Sequence, residues 1–277
     1  MPELPEVETI KTSLINANLI NNKISEVFRS NYKLRTNSTI NLNNLKNLII
    51  KKISRRARYL LIEFDNQTSL IIHLGMSGRL LLKPELTTEK HNHFAIKIFD
   101  NSKNNSQWLI FNDPRRFGLI DLINNNNLEN HKMLLKLGPE PLSNDFNPRY
   151  LANKLANKNI NIKTSLMDNQ IVVGVGNIYA NESLFLSKIL PLRSSKSINE
   201  KEIKNLIKSI KFVLNQAIIN KGSSINDYVD ADGNVGNFQN NFKVYGRINQ
   251  NCIKCSNNIE RIIQNGRSSF FCKKCQK

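Results

Sequence analysis

Tyr59-Leu60-Leu61-Ile62-Glu63-Phe64 and Leu70-Ile71-Ile72-His73-Leu74, two short apolar runs parted by polar residues, decide the fold. Runs of this length, rich in Ile, Leu and Phe, are strand-like, and their close spacing predicts antiparallel pairing. The pattern extends back to Leu48–Ile53 and forward to Phe94–Phe99, Trp108–Phe111 and Leu119–Ile123. Together these runs predict an antiparallel β-sandwich as the first domain, residues 1–135. Ahead of them Pro5 suits a first helical position, and Val7, Ile10 and Leu14 follow at i, i+3 and i+7. The chain is therefore expected to open with a helix packed on a sheet.

Leu137-Gly138-Pro139-Glu140-Pro141, continuing to Asn147-Pro148, is rich in breakers and reads as a connector over 136–147. Beyond it the hydrophobic period changes. Ser197 and Glu200 have the spacing of a capping box, and Ile203, Leu206, Ile207, Ile210, Val213, Leu214 and Ala217 trace one helical face up to Gly222. Residues 148–235 are expected to form a helical domain, broken near Val173-Gly174-Val175-Gly176-Asn177. The overall class is α+β with several domains, the last of them at 243–277.

Composition narrows the function. The 277 residues carry 40 Lys and Arg against 22 Asp and Glu, a formal charge of 40 − 22 = +18. With 40% apolar and 22% charged residues the chain can build a core, which excludes intrinsic disorder. No run of 18 apolar residues occurs, so no spanning helix and no membrane partner are expected. Acids stand at the start where a secretory signal would be basic, so a cytoplasmic protein is expected. The charge is clustered: Lys51, Lys52, Arg55, Arg56 and Arg58 lie together without an acid, and 243–277 holds eight basic residues against Glu260, a net 8 − 1 = +7. Clustered charge of this sign suits a phosphate backbone, because each neutralised phosphate releases counterions.

All four cysteines fall at the end, as Cys252-x2-Cys255 and Cys272-x2-Cys275. Two such knuckles can place four thiolates around one zinc ion, and a closed four-cysteine site is structural because no coordination position stays open. Disulfides and a thioredoxin-like redox pair fit less well, the first in a reducing cytosol, the second without a βαβ context. The zinc is expected to hold the intervening hairpin, Ile259–Phe271, which carries Arg261 and Arg267. So small a ribbon depends on its metal for folding.

Met1 before small Pro2 favours methionine removal, which would leave Pro2 with a free secondary amine. An α-amino group with a pKa of about 8 is partly neutral at physiological pH and can attack a sugar carbon, with Glu3 beside it to pass protons. Taken alone, a Pro-Glu opening is usually just a helix start.

The opening Met1-Pro2-Glu3-Leu4-Pro5-Glu6-Val7-Glu8-Thr9 resembles that of bacterial formamidopyrimidine-DNA glycosylase, the 8-oxoguanine DNA glycosylase family. The resemblance recurs in order at His73-Leu74-Gly75-Met76-Ser77-Gly78, Asp113-Pro114-Arg115-Arg116-Phe117-Gly118, Leu137–Pro141, Gly174–Ala180 and Gly266–Cys272. It implies a β-sandwich, a helix–two-turn–helix domain and a zinc ribbon, acting as a monomer on damaged double-stranded DNA. The implied activity is bifunctional base excision repair: removal of oxidised purines after base flipping, then β,δ-elimination at the resulting abasic site. By similarity Pro2 attacks C1′ and Glu3 protonates the sugar ring oxygen. Met76, Arg115 and Phe117 fill the gap left by the flipped base, although Met76 and Phe117 could equally be core residues. By the same resemblance Arg267 is catalytic, gripping the lesion phosphate and taking the δ-elimination proton role, for which electrostatic stabilisation is the easier part for a guanidinium, and His91, Lys158, Asn177 and Arg115 contact DNA. No P-loop or dinucleotide fingerprint is present, so no nucleotide cofactor is expected.

One position departs from the family pattern. Arg58, in Arg55-Arg56-Ala57-Arg58-Tyr59-Leu60, stands where the family has a lysine assigned a proton-donor role in β-elimination. With a pKa above about 12 a guanidinium can clamp a phosphate but donates protons poorly. Either Arg58 is an electrostatic clamp with slower elimination, or the chain is mainly a zinc-dependent binder of damaged DNA. An RNA-binding zinc-ribbon protein is a third reading. Lys221-Gly222-Ser223-Ser224 also departs from the family's usual glycine and threonine pattern. Asp230-x-Asp232-Gly233-Asn234 lacks the glycine and glutamate a calcium loop needs and is expected to be a loop over the lesion pocket. His73 and His93 are expected to be structural.

Overall fold

The opening helix α1 spans Leu4–Asn16, with Pro5 in the first turn, where a missing N–H costs nothing, and Glu3 and Glu6 closing a capping box around its start. Val7, Ile10 and Leu14 enter the main core as the spacing predicts. A computed structural model describes residues 1–32, 34, 41–87, 89–100, 104–224 and 228–277. The chain divides into two compact units, one made of Met1–Leu135 with Lys221–Asn237, the other of Lys136–Asn220 with Phe238–Lys277.

Among the described residues the first unit holds two four-stranded antiparallel sheets. One runs in the order β2 (Ile50–Arg56), β3 (Tyr59–Phe64), β4 (Thr68–His73), β8 (Leu119–Asn124); the other runs β1 (Lys23–Arg29), β6 (Asn92–Asp100), β7 (Asn105–Asn112), β5 (Arg79–Lys83). Leu60, Ile62 and Phe64 alternate inward and join Leu70, Ile72, Phe94, Ile96, Ile98, Leu109 and Phe111 in one core, while Leu61, Ile71 and Leu119 cluster on the opposite face. This period of two makes the pair a sandwich. Each run named from the sequence lies within or overlaps one of these strands. β1 and β5 carry no clear strand pattern because both are edge strands: of β1 only Ile24 is buried, and β5 is a five-residue run bounded by charges.

In the second unit α2 (Pro148–Leu155), α3 (Ile162–Leu166), α4 (Asn177–Leu186) and α5 (Glu200–Ile219) surround a core of Leu151, Leu166, Val172, Tyr179, Leu184, Leu206, Ile210 and Leu214. The capping box of α5 differs from the expected one: Asn199 caps the helix and Glu202 reaches back to it, while Ser197 sits in a preceding 3-10 turn. Asn199 and Glu202 share the spacing of Ser197 and Glu200, and the face set by Ile203 and Leu206 fixes the later start. The breaker-rich residues 136–147 are packed rather than bare, with Phe146 fully buried and the Gly138 N–H donating to Asn169 O at 2.7 Å.

Residues 221–237, grouped by sequence with the helices, pack in the first unit instead. Tyr228 and Ala231 belong to the sandwich core, and Ala231 O accepts the Leu82 N–H at 2.8 Å. Gly222 turns with φ +77°, and a Cβ there would meet Glu6 Oε1 at 2.9 Å. The calcium-like sequence is a plain turn, with Asp230 Oδ1 accepting the N–H groups of Asp232 (3.1 Å) and Asn234 (2.8 Å).

The hairpin of β9 (Glu260–Gln264) and β10 (Arg267–Phe271) lies within the expected Ile259–Phe271, joined by Asn265 and Gly266 at φ 48° and 72°. Positive φ at both positions is the two-residue turn that Asn-Gly favours. The hairpin is held to α4 by Asn181, whose Oδ1 accepts the Phe270 N–H at 2.7 Å. Nearby, the buried Glu182 carboxylate accepts the N–H groups of Lys243, Val244 and Tyr245 at 2.8–3.0 Å. Burial raises the Glu182 pKa, and the three donors work against that rise.

Candidate functional site

Pro2 is buried beneath an exposed Met1, and Glu3, 5% exposed, follows it as the N-cap of α1. The capping partner does more than end a helix. Glu6 Oε2 accepts the Glu3 N–H at 2.8 Å while its Oε1 accepts the Ser223 N–H at 2.8 Å. The same carboxylate thus fixes the backbone next to Pro2 and the start of the returning 221–237 segment. Burial pushes the Tyr228 hydroxyl pKa far up, and that hydroxyl donates to Glu6 O at 3.3 Å.

Arg58 comes to this start of the chain. It leaves the β2–β3 turn, where Ala57 adopts φ 54°, and its Nη1 lies 3.8 Å from Met1 Sδ with the side chain 8% exposed. The turn is tied to α1 through Arg55, whose Nε donates to Glu8 Oε2 at 2.7 Å. Burial would raise the Glu8 pKa, but hydrogen bonds from Lys11 and Arg55 outweigh it and leave the carboxyl lowered. A cationic side chain thus lies at the N-terminus, held by a second arginine.

Met76, Arg115 and Phe117 are brought together on two adjoining loops. Arg115 Nη1 lies 3.8 Å from Met76 Sδ, and Met76 and Phe117 are each 47% exposed, which removes the core alternative for both. A Cβ on Gly75 would stand 2.5 Å from the Phe117 carbonyl carbon, so only glycine lets these backbones touch. His91, half-buried, accepts the Asp113 N–H on its carbonyl at 3.0 Å and so joins the same end of the sandwich. Tyr59 pairs with His73, whose Nδ1 accepts the Gly75 N–H at 3.1 Å, so Arg58 and the Met76 loop share one end of their sheet.

His93 is structural, as expected. Its Nε2 faces Asp113 O at 2.9 Å, an atom that can only accept, so Nε2 carries the proton and Nδ1 accepts from Ser30 Oγ at 3.2 Å. Burial lowers its pKa below the usual 6.5. The folded state therefore favours neutral His93, and this stabilisation, complete above pH about 6.5, is lost as pH falls through the lower folded value. Urea midpoints at pH 7.5 and 5.5 should differ more for the native chain than for His93→Gln; equal differences would contradict this assignment.

The second unit carries the other residues singled out by resemblance. Asn177 begins α4 after Gly176, and its Oδ1 is buried without a hydrogen-bond partner among the described residues. Lys158 is half-buried between α2 and α3, its N–H donating to Leu155 O at 3.0 Å. Arg267 is exposed at the first residue of β10 and lines a 310 Å³ hollow with Lys163, Thr164, Asp168 and Asn265. Lys163 was not legible in the sequence: it is 2% exposed, and its Nζ donates to Ser268 O and Ser269 Oγ, both at 2.7 Å, holding the strand that begins with Arg267.

The Sγ atoms of Cys252, Cys255, Cys272 and Cys275 all lie within 4.8 Å of one another. A tetrahedron with Zn–S bonds of about 2.3 Å has S–S edges of about 3.8 Å, so the four thiolates fit one zinc ion. They sit in a small cluster with Phe185, Val244, Ile259 and Phe270. The zinc is structural: it joins the knuckles that carry the Arg267 hairpin.

Three family models match the chain in succession: the formamidopyrimidine-DNA glycosylase N-terminal domain over residues 1–120, the formamidopyrimidine-DNA glycosylase H2TH domain over 137–229, and the zinc finger found in FPG and IleRS over 249–277. Sandwich, helical domain and metal-held hairpin in this order define a zinc-finger DNA glycosylase of base excision repair. Formamidopyrimidine-DNA glycosylase from Rickettsia bellii (strain OSU 85-389) is 47% identical over 279 residues, and that from Wolbachia pipientis wMel is 44% identical over 278, each covering 100% of both chains. The chain belongs to the formamidopyrimidine-DNA glycosylase family. Among solved structures, Lactococcus lactis Fpg in complex with DNA containing an abasic site aligns with a TM-score of 0.90 at 34% identity, covering 99% of each chain. MutM (FPG) from Thermus thermophilus aligns with a TM-score of 0.85 at 32% identity, over 99% of this chain and 98% of that one. No helix among the described residues is long and apolar enough to cross a membrane.

Proposed function

We propose that the chain removes oxidised purines, 8-oxoguanine and formamidopyrimidines, from duplex DNA and then cleaves the abasic site through its N-terminal proline. The observation that carries this reading is the buried Arg58 guanidinium lying against Met1 at the chain start that bears Pro2 and Glu3, with Glu6 bracing the Glu3 backbone. Once Met1 is removed, the Pro2 nitrogen attacks C1′, the glycosidic electron pair leaves with the base, and the proton lost from the nitrogen neutralises the departing base. Glu3 donates a proton to the ring oxygen, the sugar opens, and C1′ remains joined to Pro2 as an iminium. Loss of a C2′ proton then expels the 3′ phosphate, and a second elimination expels the 5′ phosphate.

Met76, Arg115 and Phe117 suit the gap left by the extruded nucleotide: two apolar wedges and a guanidinium able to reach the orphaned base. Arg267, His91, Lys158 and Asn177 are assigned to the phosphate backbone. Arg58 acts as a phosphate clamp beside the nucleophile, since its always-charged guanidinium stabilises the leaving phosphate better than it yields a proton. Arg58→Lys is expected to raise the β-elimination rate on a pre-formed abasic site about tenfold or more. Gel analysis of cleaved strands measures this, and an unchanged rate would remove Arg58 as the limit on elimination. The activity itself is tested on duplexes carrying one 8-oxoguanine or formamidopyrimidine: cleavage at the lesion, with phosphate on both new ends, is expected. Tight binding of the damaged duplex with no strand cleavage would favour the binder instead.

A further inference from the structure

We propose that Asp113 and Ser77 form a buried buckle that makes the two gap-filling loops one rigid wedge, so that both residues position Met76, Arg115 and Phe117 for base extrusion. The inference rests on the gap-filling reading given above. Asp113 is 0% exposed and Ser77 4% exposed, directly behind side chains that are half in solvent. Asp113 Oδ1 accepts the Ser77 Oγ–H at 2.6 Å, and Oδ2 accepts the Gly118 N–H at 2.7 Å. Ser77 Oγ in turn accepts the Arg115 N–H at 3.2 Å. One carboxylate and one hydroxyl therefore join the residue after Met76, the backbone of Arg115 and the residue after Phe117.

Each loop is also closed on itself, and the joint is anchored below. The Gly78 N–H donates to Leu74 O at 2.8 Å and the Arg116 N–H to Asp113 O at 3.2 Å. Asp113 O also faces His93 Nε2, and the Asp113 N–H donates to His91 O, so the buckle stands on the residue before β6 and the second residue of that strand. Close approach leaves little play: a Cβ on Gly118 would meet Phe111 Cζ at 2.4 Å and Asp113 Oδ2 at 3.0 Å. Two large apolar side chains held outward on a braced backbone are organised before DNA arrives, and a wedge works only if it does not yield as the base is expelled.

The test measures single-turnover excision of 8-oxoguanine from two duplexes, one with the lesion paired to cytosine and one with it opposite an abasic gap, where little pairing opposes extrusion. Ser77→Ala and Asp113→Asn are expected to slow excision from the paired duplex by ~10-fold to ~100-fold, the scale of a misplacement of about 1 Å. On the gapped duplex the loss should stay within about threefold, the size of an ordinary surface effect. A 2-aminopurine beside the lesion should show delayed unstacking in both variants. Equal slowing on both duplexes would mean general damage to the fold and overturn the buckle. Unslowed variants, with Met76→Ala slowed on the paired duplex, would overturn the buckle alone. A Met76→Ala that behaves as the native chain on both would remove the gap-filling reading and the buckle with it.

Discussion

Glu3→Gln should leave a folded protein that binds a lesion duplex but releases the base about 10²–10⁴-fold more slowly, the range for loss of a positioned general acid. Glu3 is nearly buried at the N-cap of α1, beside Pro2, and its backbone is fixed by Glu6. Glutamine keeps the size of the side chain and an oxygen to accept hydrogen bonds, so the helix start survives. What it removes is the transferable proton. Without protonation of the ring oxygen the sugar does not open and the iminium does not form. Single-turnover kinetics with excess enzyme separate this loss from binding. A variant that binds weakly but reacts normally once saturated would reassign Glu3 to structure.

Removal of the metal should have an effect as large, but on a different step. The terminal ribbon has few buried apolar groups of its own: Phe271, and Val244, Ile259 and Phe270, which cluster with Phe185 from α4 and are completed by the four thiolates. Structural zinc contributes about 10–16 kcal/mol to folding such a module. Chelation or Cys272→Ala is therefore expected to unfold the hairpin and release Arg267, while the sandwich and the helices of the second unit keep their own cores. Duplex affinity should fall at least about 100-fold, and the salt dependence of binding should flatten as phosphate contacts are lost. Fluorescence anisotropy at several salt concentrations, with far-ultraviolet circular dichroism as the control, measures both. Unchanged affinity in the stripped protein would show that the hairpin plays no part in holding DNA.

Much of this was legible in the sequence because short motifs carry it. The cysteine spacing specified a metal site, the two apolar runs before Leu74 specified the sandwich, and Asn265-Gly266 lies in the hairpin the knuckles implied. What stayed hidden depends on groups distant in the chain. Ser77 and Asp113 stand inside recognised motifs, yet the bond between them spans 36 residues. Glu6 meets Ser223 across 217 residues, so the return of 221–237 to the sandwich could not be read from local pattern. Lys163 could not be read from local pattern, because the carbonyl and the hydroxyl it donates to lie more than a hundred residues away. The shifted capping box of α5 has another cause: Ser197 and Asn199 are both good caps and both precede a glutamate by three.

The central claim is that the N-terminal amine of Pro2 is the nucleophile, and borohydride trapping tests it most directly. Incubation with an 8-oxoguanine duplex under borohydride should reduce the iminium to a stable protein–DNA adduct, and peptide mapping should place the sugar on Pro2 of chains that have lost Met1. No adduct under conditions where the lesion duplex is bound, or an adduct on an internal lysine, would contradict the account.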